Sequence, residues 1–443
     1  MPGRPAVGLP GQSAAAAPGP GTAPGQVATP GQAAGEGPPG LPALGEATRR
    51  AMARTAVLDT RRPVADGLDK CPRCGSTEIG YSITLRALYC SHCRSRWNEP
   101  NAERSFGLDA PIALLRGHQL GSATMDVRED ASLMTLHCQG CGADVMLRVS
   151  DQLQARCHWC RQKLSVSSQV ATGAVPDAVL PFALPREEAV RRIGDFIGSR
   201  RRFAKTYVTE GFRPENVFGV YIPYLVVDGN VHAELHGKGE VTTRTYQVKR
   251  GDNYVTYHDA DVHQVDRSFD LLIDDLAVVS SRSFAGNVAR ATNHVVQSLA
   301  PYDTDQAVAF SSNYLAGFSS QRRDLDVTDV DQDVEDRFLA IARARLEPTV
   351  VGYDRGVRWE HEGVAVRGTR WLTVLVPVWL YSYSPPEGDE VHYIAVNGRS
   401  GLTQGSVPVS QGKLWLASCV PGALVGGLLG MLGLLLMIGE ALV

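Results

Sequence analysis

Cys71-Pro-Arg-Cys-Gly-Ser-Thr-Glu-Ile-Gly-Tyr-Ser-Ile-Thr-Leu-Arg-Ala-Leu-Tyr-Cys-Ser-His-Cys93 holds two CxxC pairs, Cys71/Cys74 and Cys90/Cys93, separated by fifteen residues. The spacing returns at Cys138/Cys141 and Cys157/Cys160, offset by 67 residues throughout. A CxxC turn brings two thiolates to one side of an ion, and two such turns on adjacent hairpins complete a tetrahedron. The pattern therefore predicts two small β ribbons, 66–99 and 133–165, each built round one metal site. Zinc is the expected ion at both, and iron in a rubredoxin-like site is the rival, because four thiolates suit either. Four thiolates leave no open coordination position, which marks the sites as structural rather than catalytic. Gly75 and Gly142 each follow the second cysteine of a first knuckle, where a permissive residue lets the chain turn away. His92 and His158 sit inside the second knuckles, but with all four cysteines present they read as surface or supporting groups.

Eight of the nine cysteines are used in this way and Cys419 is left over. Residues 1–40 contain nine prolines, ten glycines and only two charges, Arg4 and Glu36, with no apolar run long enough for a secretory signal. Reduced, metal-bound cysteines in the cytoplasm are the reading that fits. Residues 1–65 are expected to be a disordered Pro/Gly/Ala-rich arm, because they bury too little apolar surface to offset their ordering entropy. A short helix is expected across Leu44–Leu58, and another near Ile112–Leu115 within a linker over 100–132.

Residues 176–410 read as an α+β body. Ala189, Ile193, Phe196 and Ile197 recur at helical spacing after Pro185, predicting an amphipathic helix over Arg186–Phe203. Strand-like runs at Val217–Val227, Val231–Leu235, Gly239–Val248 and Tyr254–Tyr257 are separated by Gly229, Gly237 and Gly251-Asp252, read as turns. A short helix is expected at Gln306–Ala309, a stronger one over Val334–Leu346, and a strand pair from Trp371–Tyr383 and Glu390–Val396. Pro223 and Pro377 each interrupt an apolar run, which suggests an edge or bulge at both and two related halves. Leu414–Gly439 is 26 residues without a charge, and about 20 suffice to cross a bilayer core, so it is expected to be a single C-terminal transmembrane helix. Arg399 and Lys413 precede it and no basic residue follows, which places the N-terminus in the cytoplasm of a bacterial cell membrane. Gly422, Gly426 and Gly430 recur every four residues and are candidates for helix-to-helix self-association as a homodimer.

The net charge of -3, from 44 basic and 47 acidic side chains, gives no whole-chain field for nucleic acid. Arginines near the ribbons, with Tyr81, Tyr89, Trp97 and Trp159, keep nucleic acid as the weaker partner class. The densest basic cluster is Arg191, Arg192, Arg200, Arg201, Arg202 and Lys205, a solvated face or a contact for anionic lipid. The acidic run Asp324–Asp336 lacks the glycine and terminal glutamate of an EF-hand and reads as an exposed loop feeding the Val334 helix. His232, His236, His258 and His263 have no evident nucleophile beside them; without GxSxG or P-loop signatures, the chain reads as no enzyme.

Pro181-Phe-Ala-Leu-Pro-Arg-Glu-Glu-Ala189, Arg202-Phe-Ala204, Tyr221-Ile-Pro-Tyr224, Leu375-Val-Pro-Val-Trp-Leu380 and Val396-Asn-Gly398 with Gly401 resemble bacterial zinc-ribbon membrane proteins often labelled primosomal or helicase-like. The layout of arm, soluble part and C-terminal span also resembles the membrane proteins associated with cytoplasmic contractile injection systems. These resemblances imply a non-enzymatic membrane-anchored adaptor that recruits a cytosolic protein assembly, with a membrane-tethered nucleic-acid-binding regulator as the competing class.

Overall fold

The computed structural model describes residues 55–60, 70–125, 133–138, 141–148, 156–161, 169–170, 176–251, 253–281, 294–323, 325–385, 391–415, 417 and 419. The arm expected over 1–65 lies outside them except at 55–60, where Thr55–Leu58 forms a strand, β1, instead of helix. The first ribbon is a three-stranded sheet of β2 (Ile79–Ser82), β3 (Ala87–Cys90) and β4 (Arg96–Trp97). The linker contains β5 (Gly117–Gly121), which pairs in parallel with β1. The second ribbon supplies β6 (Leu133–His137), β7 (Asp144–Arg148) and β8 (Gln169–Val170). Beyond it run β9 (Ala178–Val179), β10 (Val217–Arg250), β11 (Asn253–Val279), β12 (Val308–Ala309), β13 (Ser319–Gln321), β14 (Val357–Tyr383), β15 (His392–Asn397) and β16 (Thr403–Gly405). Thirteen strands join one sheet, in which β7 pairs with β13, so the second ribbon continues the sheet of the body.

The centre of that sheet is β10 against β14, antiparallel from Val217↔Tyr381 to Gly239↔Val357. β10 is one strand of 34 residues where the sequence suggests three interrupted ones. Gly229 and Gly237 lie inside it because of close approach: a Cβ at Gly229 would sit 2.7 Å from the Phe338 ring, and one at Gly237 2.5 Å from the Arg358 carbonyl. Pro223 and Pro377 are likewise interior, neither at a sheet edge. On the side of β10 away from β14, β13 pairs only as far as Tyr221 and β11 begins at Tyr224, so Pro223 falls in the gap. On β14, β9 pairs as far as Leu375 and β15 begins at Val378, with Pro377 between them. Each proline stands where no neighbouring strand requires its missing N–H.

Both faces of β10 are buried from Val220 to Val231. Val220, Ile222, Tyr224 and Val226 face one cluster that includes Leu136, Cys138, Cys157 and Trp159 of the second ribbon. On the other face Tyr221 meets helix α1 (Arg186–Ser199), whose Ala189, Ile193, Phe196 and Ile197 are all buried, as their spacing predicts. Helix α2 (Val327–Leu346) covers Leu225, Val227, Val231 and Trp371 through Val330, Val334, Phe338 and Ala342. It begins seven residues earlier than expected: Asp326 caps it, with Asp329 completing a capping box, so most of the acidic run is helix. The stretch at Gln306–Ala309 is a 3-10 turn, Thr304–Gln306, followed by β12.

The transmembrane helix expected over 414–439 is not carried forward: residues 416, 418 and 420–439 lie outside the described residues, and among the described residues no helix is long and apolar enough to cross a membrane. Gln411–Trp415 are helical, but their lead-in is tied to the body, with Ser410 N–H donating to the Phe203 carbonyl and Lys413 Nζ to that of Ala204 at 2.7 Å. Gly422, Gly426 and Gly430 lie outside the described residues. The membrane location, the membrane-anchored adaptor and the homodimer through that helix lose their support together.

Candidate metal centres

Each CxxC knuckle folds in the same way. The residue after its second cysteine takes a left-handed conformation, at Gly75 (φ 74°), Arg94 (φ 61°), Gly142 (φ 78°) and Arg161 (φ 64°). Its N–H donates to the carbonyl of the knuckle's first cysteine in all four, at 2.8–2.9 Å. At Gly75 and Gly142 an added Cβ would meet nothing within 4 Å, so it is φ rather than crowding that calls for glycine there. The arginines adopt the same turn against the usual preference, and the sequence gives no sign of it.

The knuckles bring the thiols together as the spacing predicts. Cys71 Sγ lies 3.6 Å from Cys93 Sγ and Cys74 Sγ 3.7 Å from Cys90 Sγ. In the second set Cys138 and Cys160 are 3.4 Å apart and Cys141 and Cys157 3.6 Å. A tetrahedron with metal–sulfur bonds near 2.3 Å has edges of about 3.8 Å, whereas a disulfide needs about 2.05 Å. Both sets thus fit one four-coordinate ion each, and all eight ligand atoms come from cysteines. The backbone N–H groups of Cys93 and His92 hold the Cys90 thiol down to about 6 against the effect of its burial. In the second set the contact with Cys157 holds Cys141 at about 5, and the same contact, with burial, pushes Cys157 far up. Close-packed thiols favour partial ionisation, and a cation would complete it.

Both centres are rooted in the body. The Tyr81 hydroxyl of the first ribbon donates to the Phe182 carbonyl at 2.8 Å, its ring packs on Tyr314, and Trp97 Nε1–H donates to Glu99. In the second, Trp159 Nε1–H donates to Gln321 Oε1 at 2.8 Å and its ring meets Tyr393 edge-on. His158, 1% exposed, is within 3.0 Å of the Ser319 hydroxyl, and burial pushes its imidazole down to about 3. It supports the second knuckle from inside, while His92 is exposed. Tyr81 and Trp159 are therefore turned toward the body.

Part of the basic cluster is engaged within the protein. Arg191 pairs with Glu188 and Asp195; Arg192 pairs with Glu188 and donates to the Gly401 carbonyl. Arg200 lies over the Phe196 ring and Arg202 near that of Phe203, with Arg201 and Lys205 exposed. His232 and His236 pair with Asp270 and Asp266 across β10 and β11 at 2.6 and 2.8 Å, and His258 contacts Thr245. These pairs bind the two strands of a long hairpin. Beyond Thr242 that hairpin has no third strand among the described residues, and it exposes Val248, Tyr254, Val255, Tyr257 and Val262.

With the geometry in place, comparison with known proteins adds little identity. No family model matches the chain, and no solved structure matches it. It is similar to one uncharacterized protein, YdjG of Bacillus subtilis strain 168: 22% identical over 250 residues, covering 56% of this chain and 68% of that protein. The expected resemblances to zinc-ribbon membrane proteins and to contractile-injection membrane proteins are corrected accordingly, since no family model connects the chain to either.

Proposed function

We propose that this chain is a non-catalytic β scaffold that holds its shape with two structural zinc ions and presents the β10–β11 hairpin to a protein partner. The observation that carries the reading is that each centre offers four thiolates, closing a tetrahedron, with its second knuckle packed against the body. A closed tetrahedral site holds structure and has no position at which to polarise a substrate. Zinc is preferred to iron because it gives such a clamp no redox chemistry.

The hairpin supplies the binding half of the reading. A two-stranded ribbon is marginally stable in water, and large apolar side chains displayed on one gain from burial against another surface. Tyr246 and Tyr257 stack 5.8 Å apart and Arg244 lies over Tyr246, which stiffens the tip before any partner arrives. Such aromatic and arginine anchors are the residues that dominate protein interfaces.

Two measurements test this. Purified chain should contain two zinc ions, and its cobalt-substituted form should show a tetrathiolate spectrum that added cyanide does not move; a shifted spectrum, or bound iron, would refute closed zinc clamps. A photoactivatable phenylalanine in place of Tyr254 should give one protein adduct of defined mass in cells, lost in Tyr257→Asp. Absence of an adduct, or indifference to Tyr257→Asp, would refute the hairpin as the binding surface.

A further inference from the structure

The outer edge of β10 changes neighbours along its length. Its ladder with β14 ends at Gly239↔Val357. Residues 354–356 hold the edge a little farther: Glu240 N–H donates to the Gly356 carbonyl at 3.2 Å, Arg355 N–H to the Glu240 carbonyl at 3.3 Å, and Thr242 N–H to Asp354 Oδ1 at 2.8 Å. From 244 to 250 the strand pairs with β11 on one side, and among the described residues no strand pairs with it on the other. Alternate residues of an antiparallel ribbon direct N–H and C=O outward, so this stretch presents a row of backbone donors and acceptors to an incoming strand.

Side chains decide which strand fits. Successive residues alternate between faces, which puts Arg244, Tyr246, Val248 and Arg250 on one face of the ribbon. The register sets Tyr257 opposite Tyr246 and Val255 opposite Val248. The two tyrosine rings stack and Arg244 lies over Tyr246, while Val248, Val255 and Tyr257 are exposed. The β10 row on this face is therefore an apolar centre with an arginine at each end. The opposite face carries Thr245, Gln247 and Lys249, all polar. Residues 242–250 contain no acidic side chain. Antiparallel overlap of this edge with its like in a second copy would set Arg244 opposite Arg250 at both ends, and like charges directly opposite destabilise a sheet.

We propose, resting on the reading of the hairpin as the binding surface, that the 244–250 edge takes an extended acidic segment of a partner protein as an added antiparallel strand. Its alternate residues are acidic, apolar, apolar and acidic. The two carboxylates would face Arg250 and Arg244, and the two apolar side chains would widen the centre formed by Val248 and Tyr246. In such an addition the backbone ladder supplies affinity and the alternate side chains supply specificity.

The probe is a fluorescent peptide, Thr-Glu-Thr-Val-Thr-Val-Thr-Glu-Thr, titrated with the zinc-loaded full chain and read by anisotropy. Saturable binding tighter than about 1 mM is expected. Arg250→Glu should weaken it about tenfold, because an attraction becomes a repulsion. Lys249→Glu, the same change of charge on the opposite face, should weaken it much less. The peptide with lysine for both glutamates, or with its backbone amides N-methylated, should not bind. Lys249 and Arg250 are exposed, so both variants should keep two zincs and an unchanged melting temperature. No binding by the unmodified chain, binding weakened equally by the two variants, or binding that survives N-methylation would overturn the proposal. A chain dimer in sedimentation that Arg250→Glu dissolves would give the edge to a second copy and overturn it as well. If the peptide fails while the adduct at Tyr254 forms in cells, the added acidic strand falls and the hairpin surface stands.

Discussion

Cys141→Ser is the perturbation that separates a clamp within the sheet from an independent bead. Cys141 is exposed, so the change removes a ligand while disturbing little packing. What the ligand holds is substantial: Leu136, Val145, Leu147 and Trp159 of the second ribbon are buried in the cluster that lines one face of β10. At about 1.5–3 kcal/mol per large apolar side chain, releasing those four forfeits roughly 6–12 kcal/mol, an upper estimate because the unfolded chain is itself partly collapsed. That is comparable to the whole stability of an ordinary domain. The ladder between β7 and β13, Met146↔Ser320 and Val145↔Gln321, should therefore lose protection together with the ribbon. Hydrogen exchange read at these strands, beside zinc content, is the assay. Cys74→Ser is the matched control: its thiol is also exposed, but β2, β3 and β4 form a sheet of their own, so the main ladder should stay protected. If Cys141→Ser loses one zinc and residues 145–146 and 320–321 exchange as slowly as before, the second centre does not hold the sheet.

Two further outcomes follow from particular side chains. Arg161→Gly should be neutral or stabilising by up to about 1 kcal/mol in urea unfolding, because glycine takes the φ of 64° freely, whereas Gly142→Ala should destabilise by about 1–2 kcal/mol. Glu335 is 6% exposed and burial, followed by Asp331 and Asp336, raises its carboxyl from 4.5 to about 7. Between those values the folded state holds a proton that the unfolded state has released, so stability falls as pH rises through the window. Glu335→Gln should flatten that fall by on the order of 1 kcal/mol, seen as a smaller difference between urea midpoints at pH 5 and pH 8.

How far the sequence could be read depended on whether the pattern was local. The cysteine spacing located both centres because a CxxC turn is complete within four residues, and α1 was legible because Ala189, Ile193, Phe196 and Ile197 all face one cluster. Gly229 and Gly237 resembled turns because glycine permits turning. Their actual reason, the Phe338 ring and the Arg358 carbonyl, lies more than a hundred residues away. The same holds for Pro223 and Pro377, whose tolerance depends on where four other strands begin and end. The cluster of Asp228, Asp274 and Asp275 was illegible for the same reason: Glu103, Thr304 and Arg370 reach it from three separate segments, and only the slipped register between Val227 and Gly229 aims Asp228 at Asp274 and Asp275. That slip also links the parts of the molecule. The bulge that gathers the carboxylates sits on the two strands that continue outward as the exposed hairpin. The second cysteine centre holds one end of the sheet order, through β7, β6 and β8, and the first belongs to the separate sheet of β2, β3 and β4.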